Sequence, residues 1–130
     1  MKFLIDSDCL VGTFRDEDPN HKKAVFLFDK YGKSSQIIVL NLVLQETATV
    51  LSHRTGMDAA RLFHKIFSTL GIEKIEVDAL LEQIAWKIFL KQSKKGTSFV
   101  DCANLAAVEH YKLDGILSFD RFYAKLLVGA

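Results

Sequence analysis

Apolar positions along the chain switch repeatedly between short runs and helical stripes, so strands and helices alternate. Phe3–Ile5 is a short apolar run, read as a strand that stops at Asp6. From Pro19 the spacing of Ala24, Phe28 and Tyr31 predicts a helix with proline in its first turn, closed by Gly32. Ile37–Val39 reads as a second strand, and Leu42–Arg54 as a helix that stops near Gly56. Leu62, Phe63, Ile66, Phe67 and Leu70 form the stripe of another helix, stopped by Gly71. Ile72–Val77 alternates apolar and charged residues, the pattern of a half-exposed strand near a sheet edge. Asp78 then caps a helix to about Lys91, and Lys94, Lys95 and Gly96 make a basic loop before a helix from about Phe99 to Tyr111. Gly115–Phe119 is the last strand and Arg121–Val128 a closing helix. Such alternation implies an α/β fold of three layers, α/β/α, around a mostly parallel sheet of four to five strands.

Composition narrows the classes. A chain of 130 residues suits one domain spanning residues 1–130. The 49% apolar and 25% charged shares are those of an ordinary globule and exclude disorder. Ten phenylalanines imply a thick core with apolar surface to spare for a partner. A net charge of +1 argues against a strongly basic, non-specific nucleic-acid binder, yet leaves room for RNA held by a local basic patch and bound cations. Cys9 and Cys102 are too few for a disulfide framework. Asp6 interrupts the apolar start, so no secretory signal opens the sequence, and no apolar run nears the ~20 residues that span a bilayer. The expectation is a reduced, cytoplasmic protein with no membrane partner.

Four carboxylates sit against the apolar pattern. Asp6 follows Phe3-Leu4-Ile5 and Asp120 follows Ile116-Leu117-Ser118-Phe119, so both stand at the carboxyl ends of strands, where open α/β sheets place their sites. Each also reads as a helix cap. Glu46 has Leu42, Val43, Thr49 and Val50 as its helical neighbours. Either it is buried and paired or metal-bound, or it lies on that helix's wettest edge. Asp101 ends Ser98-Phe99-Val100-Asp101, close to a capping box, a role compatible with holding a cation at the positive helix end. Converging carboxylates raise one another's pKa, and a divalent cation removes that penalty. All-oxygen ligation suits Mg²⁺ or Mn²⁺.

Four segments, taken together, resemble a known family. FLIDSDCLVG (3–12), LNLVLQETATVL (40–51), TSFVDCANLAAVEH (97–110) and GILSFDRFYAKLL (115–127) are similar, in order, to the signature segments of PIN domains, most of all the VapC-type toxin ribonucleases. The resemblance covers the whole chain and implies the PIN-like fold and metal-dependent endoribonuclease activity. By position it makes Asp6, Glu46, Asp101 and Asp120 the ligands of Mg²⁺ or Mn²⁺, with Asp6 and Asp101 foremost, and puts Ser118 where a Thr or Ser lines the site. It also implies an RNA substrate, a homodimer and a cognate antitoxin. Asp8 stands where Asn or Ser is commoner, adding a fifth carboxylate, and Phe122-Tyr123 replaces the usual His or Asp followed by Phe.

Other residues are candidates of lower weight. Asn104 lies one turn beyond Asp101 and either bridges to a metal-bound water or packs. Lys94, Lys95, Arg121 and Arg54 are placed to hold an RNA backbone, whereas Lys112 reads as simply solvated. Cys9 and Cys102 lie beside proposed ligands and read as buried small hydrophobes. The four histidines show no close ligand pair. Two other functions compete. One is a PIN-like module that binds RNA or protein without cutting, but no acidic position is lost. The other is a haloacid-dehalogenase-type phosphatase using Asp6 and Asp8, which Leu10 and the lack of an acidic neighbour within four residues after Asp120 disfavour.

Overall fold

The computed structural model describes residues 1–128. In chain order the elements are β1 (Lys2–Ile5), α1 (Ser7–Phe14), α2 (His21–Ser34), β2 (Gln36–Leu40), α3 (Asn41–Arg54), α4 (Met57–Phe67), β3 (Glu73–Ile75), α5 (Ala79–Leu90), α6 (Phe99–His110) and β4 (Gly115–Leu117), followed by a 3₁₀ segment, Arg121–Leu126. The four strands are all parallel, in the order β3-β2-β1-β4. β3 lies at an edge, as expected, with Glu73 and Lys74 exposed on both of its faces and Ile75 buried.

The central strands are apolar on both faces, which is what a parallel sheet covered by helices requires. Leu4, Ile5, Ile38, Val39 and Leu40 are all essentially inaccessible. Connections from β1 to β2 to β3 travel one way across the sheet, and the β3–β4 connection returns. Right-handed crossovers therefore put α1–α4 on one face and α5–α6 on the other. The packing agrees, with α1 against α2 and α3, α3 against α4, and α5 against α6. Asp6 and Ser118 follow directly on β1 and β4, which pair as neighbours, so two functional positions share one sheet edge.

The sequence pattern leaves α1 unassigned. Cys9, Leu10, Val11 and Gly12 are consecutive buried residues, and a helix buried all round shows no period. Gly12 is where α2 crosses: an added Cβ would lie 2.8 Å from Ala24 Cβ. His21 Nδ1 and the Gly12 carbonyl are 2.7 Å apart at the same crossing. α2 begins at His21 rather than Pro19, because the His21 N–H donates to the Asp18 carbonyl in the preceding turn. It runs through Gly32 to Ser34.

The expected closing helix is a correction. Residues 121–126 are 3₁₀, broken at Ala124 with φ 45° and ψ −112°. Leu127 then pairs in parallel with Ile116, and the Val128 N–H donates to the Ile116 carbonyl at 3.1 Å. This crossing needs a glycine, since a Cβ on Gly115 would meet the Leu126 carbonyl oxygen at 2.8 Å. In the Leu62–Leu70 stripe only Phe63 and Phe67 enter the core, leaving Leu62, Ile66 and Leu70 exposed.

Candidate active site

The site is assembled at the carboxyl edge of the sheet, where β1, α6 and the segment after β4 meet. Asp6 does cap α1, its Oδ1 accepting the Ser7 N–H at 2.8 Å. It is nevertheless 4% exposed, far too buried for a cap that serves nothing else. Asn104 Nδ2 donates to Asp6 Oδ1 at 3.1 Å, and Ser118 Oγ lies 3.1 Å from Asp6 Oδ2. Ser118 Oγ also lies 3.0 Å from Asp8 Oδ2, which takes the Phe119 N–H at 2.9 Å. One hydroxyl has one proton. It cannot donate to both carboxylates at once, so one of the two contacts calls for a proton or a cation on the acid side.

Asp101 approaches from α6. Ser98 accepts the Asp101 N–H, which completes half of the expected capping box. The carboxylate serves elsewhere: Tyr123 Oη donates to Asp101 Oδ1 at 2.9 Å. Tyr123 Oη in turn accepts from Asn104 Nδ2 at 3.0 Å, so a buried chain runs Asp6–Asn104–Tyr123–Asp101. Burial, with the charges of Asp6 and Asp101, pushes the Tyr123 phenol well up, and it stays a donor at any physiological pH. Tyr123 is the residue that the sequence reading missed. The only signal was an aromatic hydroxyl three places after Asp120, visible as a departure from the family pattern and not as a role.

Electrostatics tie the carboxylates together. Burial first, then Asp8, raises the Asp6 pKa to about 7, with Asp101 adding to it. Burial raises Asp101 to about 6, with Asp120, Glu46 and Asp8 pushing the same way. Burial also raises Asp8. Asp120 is exposed, caps the 3₁₀ segment through the Phe122 N–H at 2.9 Å, and takes no part in the buried chain. Glu46 is half-buried, and with Asp8 and Arg54 it lines a cavity of about 260 Å³ beside the cluster. Lys94 and Lys95 are exposed in the loop before α6, and Arg121 is exposed after Asp120. Cys9 and Cys102 are buried free thiols, both pushed up by burial and therefore inert.

The residues fit a hard cation held by oxygen. Asp8 Oδ1 and Asn104 Oδ1 are buried without a hydrogen-bond partner, each an acceptor whose burial is costly as it stands. Among the described residues no three His, Cys, Asp or Glu side chains stand close enough to form a finished cage. A second cavity, of about 410 Å³, lies elsewhere, between α3, α4 and β3. Phe63, Phe67, Leu44 and Ile72 make it apolar, and none of the clustered carboxylates reaches it.

The site is thus a cluster of carboxylates, Asp6, Asp8 and Asp101, at the carboxyl edge of a parallel α/β sheet. The PIN domain family matches residues 3–126, and the chain belongs to that family. Two crystal structures share the fold. VapC20 of Mycobacterium tuberculosis, described as a sarcin-ricin loop cleaving toxin, is 24% identical over 98% of both chains with a TM-score of 0.83. VapBC2 from Rickettsia felis, bound to a DNA fragment from their promoter, is 13% identical over 98% of this chain and 96% of that one, with a TM-score of 0.73. No curated protein sequence matches. The opening Asp-x-Asp thus sits in a PIN domain, which removes the ground for a phosphatase.

Proposed function

We propose that this protein is a metal-dependent endoribonuclease and the toxin of a VapBC-type pair. The observation that carries the reading is the buried chain Asp6–Asn104–Tyr123–Asp101, which draws two acidic groups 95 positions apart in sequence into one charged cluster with Asp8. Membership of the PIN family and the likeness to VapC20, a sarcin-ricin loop cleaving toxin by its description, support it. A scaffold that only bound RNA would have no use for buried, mutually repelling carboxylates.

Asp6, Asp101, Glu46 and Asp120 would hold Mg²⁺ or Mn²⁺. When bound, such an ion activates water and neutralises charge developing on a phosphodiester. The chain's own residues do the rest. Ser118 orients Asp6 and Asp8 from one side, and Asn104 with Tyr123 fixes Asp6 against Asp101 from the other. Lys94, Lys95 and Arg121 hold the RNA backbone, and Arg54 binds the RNA beside the carboxylates.

The apolar groove of about 410 Å³, lined by Phe63, Phe67, Leu44 and Ile72, suits an antitoxin segment. Toxin homodimers fit the remaining exposed apolar residues of α5, Leu80, Trp86 and Leu90. No helix among the described residues is long and apolar enough to cross a membrane, and a cytoplasmic site of action, where RNA is met, follows from the reading.

The decisive experiment incubates purified protein with single-stranded and structured RNAs in Mg²⁺, Mn²⁺ or chelator. Cleavage should need the ion and vanish in Asp101→Asn. RNA left intact in both ions by a folded protein would refute the reading.

A further inference from the structure

We infer that the cavity beside the carboxylates is a purine-binding subsite, seating the nucleotide next to the phosphate that is cut. The inference rests on the ribonuclease reading and extends it to substrate choice. The cavity lies between α1, the α1–α2 turn and α3, and Asp8 and Glu46 form the wall it shares with the cluster. A nucleotide in it would carry its phosphate to those acids. At about 260 Å³ it falls just below the ~300 Å³ where drug-sized pockets begin, room for one base and not for a duplex. Sequence-specific RNA recognition takes splayed-out single bases in this way.

Its walls are chemically selective. Val11 and Val50 give an apolar surface for a base's face, and Asn20 and Arg54 stand at its edge. Asn20 precedes α2, but its side chain makes no cap bond, so its amide keeps a donor and an acceptor for a ligand. Arg54 is held loosely, with Nη1 3.9 Å from Asp18 Oδ2, which leaves most of its fork of donors free.

Asp18 is the positioning residue. Its side chain is 8% exposed, it takes the Asn20 N–H at 2.9 Å, and it faces Arg15 and Arg54 together. Arg15 Nε donates to Thr55 Oγ1 at 3.2 Å, which ties the turn to the end of α3. One carboxylate thus fixes the Asn20 backbone and keeps the Arg54 guanidinium on the same side of the cavity. The Asn20 side-chain amide and that guanidinium are the groups that read the O6, N6 and N7 edge of purines, Arg on guanine and Asn on adenine. Pyrimidines have no N7 to offer them.

The test measures kcat/KM on labelled single-stranded RNA oligonucleotides that differ only in the base next to a single cleavable bond, with wild type, Asn20→Ala and Arg54→Lys. Both positions are exposed, so the variants keep the fold, and the metal-induced rise in melting temperature provides the check. Wild type should prefer a purine by roughly tenfold, and each variant should reduce that preference to within about threefold, chiefly through KM. An equal purine preference in all three proteins, or none in wild type, overturns the subsite while leaving the nuclease intact. If no RNA is cut at all, anisotropy of the same oligonucleotides on Asp101→Asn decides: selective purine binding lost in the Asn20→Ala double variant supports the subsite, and unselective binding overturns it.

Discussion

Tyr123 reaches back across 22 positions of sequence to donate its phenolic proton to Asp101 Oδ1 at 2.9 Å, while accepting one from Asn104. The pair joins the segment after β4 to the first turn of α6. Tyr123→Phe removes both bonds without opening a cavity. It should cost about 1–3 kcal/mol of stability, the penalty for leaving a buried Asn104 donor and the Asp101 oxygen under-satisfied. Turnover should fall about tenfold, and kcat should fall more than KM rises, because Asp101 loses its orientation. Unchanged kcat in a folded variant would show that the phenol only packs.

Asp6 gives the metal-free protein a pH dependence of unusual sign. Its folded pKa of about 7 lies above the unfolded value of 3.8, so the folded state binds the extra proton. Stability is fully present below the unfolded value and is lost as pH rises through the folded one. Melting in chelator should therefore worsen from pH 5 to pH 8 by an amount on the order of a few kcal/mol at most. Mn²⁺ or Mg²⁺ should flatten the slope, and ion affinity should rise with pH as protons are displaced. Parallel melts with and without ion measure both; identical pH slopes in the two series would contradict this account.

Asp6→Asn should separate stability from function. The amide oxygen still accepts the Ser7 N–H, and the buried charge is gone. In chelator near pH 8 the variant should melt a few degrees above wild type, show no gain on adding ion, and lose cleavage by at least ~100-fold. Differential scanning calorimetry and an RNA cleavage assay read the two effects. A variant less stable than wild type at that pH would mean Asp6 is not a burdened carboxylate.

Lys94 and Lys95 precede α6 and are exposed. If they hold phosphates, replacing both by Ala should weaken RNA binding and lower the slope of log K against log salt by about 1.4, since each single-strand contact contributes ~0.7. Binding titrations between low and physiological salt supply the slope. No change would assign RNA holding to Arg54 and Arg121.

The fold was legible because β1, β2 and β4 are short apolar runs and because α2 and α4 carry spaced apolar positions. What escaped lay where tertiary contacts override local pattern. α1 is buried on every side and shows no period. The tail bends at Ala124 to lie on β4, a conformation that no propensity at residues 121–128 announces. At the site, acids out of place in an apolar context were visible, and Asp6 and Asp120 turned out to be caps as well. Tyr123 was invisible because its value depends on Asn104 and Asp101, which only folding brings to it. Asp18 was hidden in an acidic turn that reads as ordinary solvent-facing sequence.

The crossing of the tail over Gly115 has a bearing on how the pocket can be lost. Ser118, Asp120 and Tyr123 are all supplied after β4, and that strand pairs with β1. A side chain at residue 115 would meet the returning backbone at Leu126 and push it off β4. One methyl group, at a position that carries no chemistry of its own, would thereby draw Tyr123 away from Asp101 and dismantle a wall of the site.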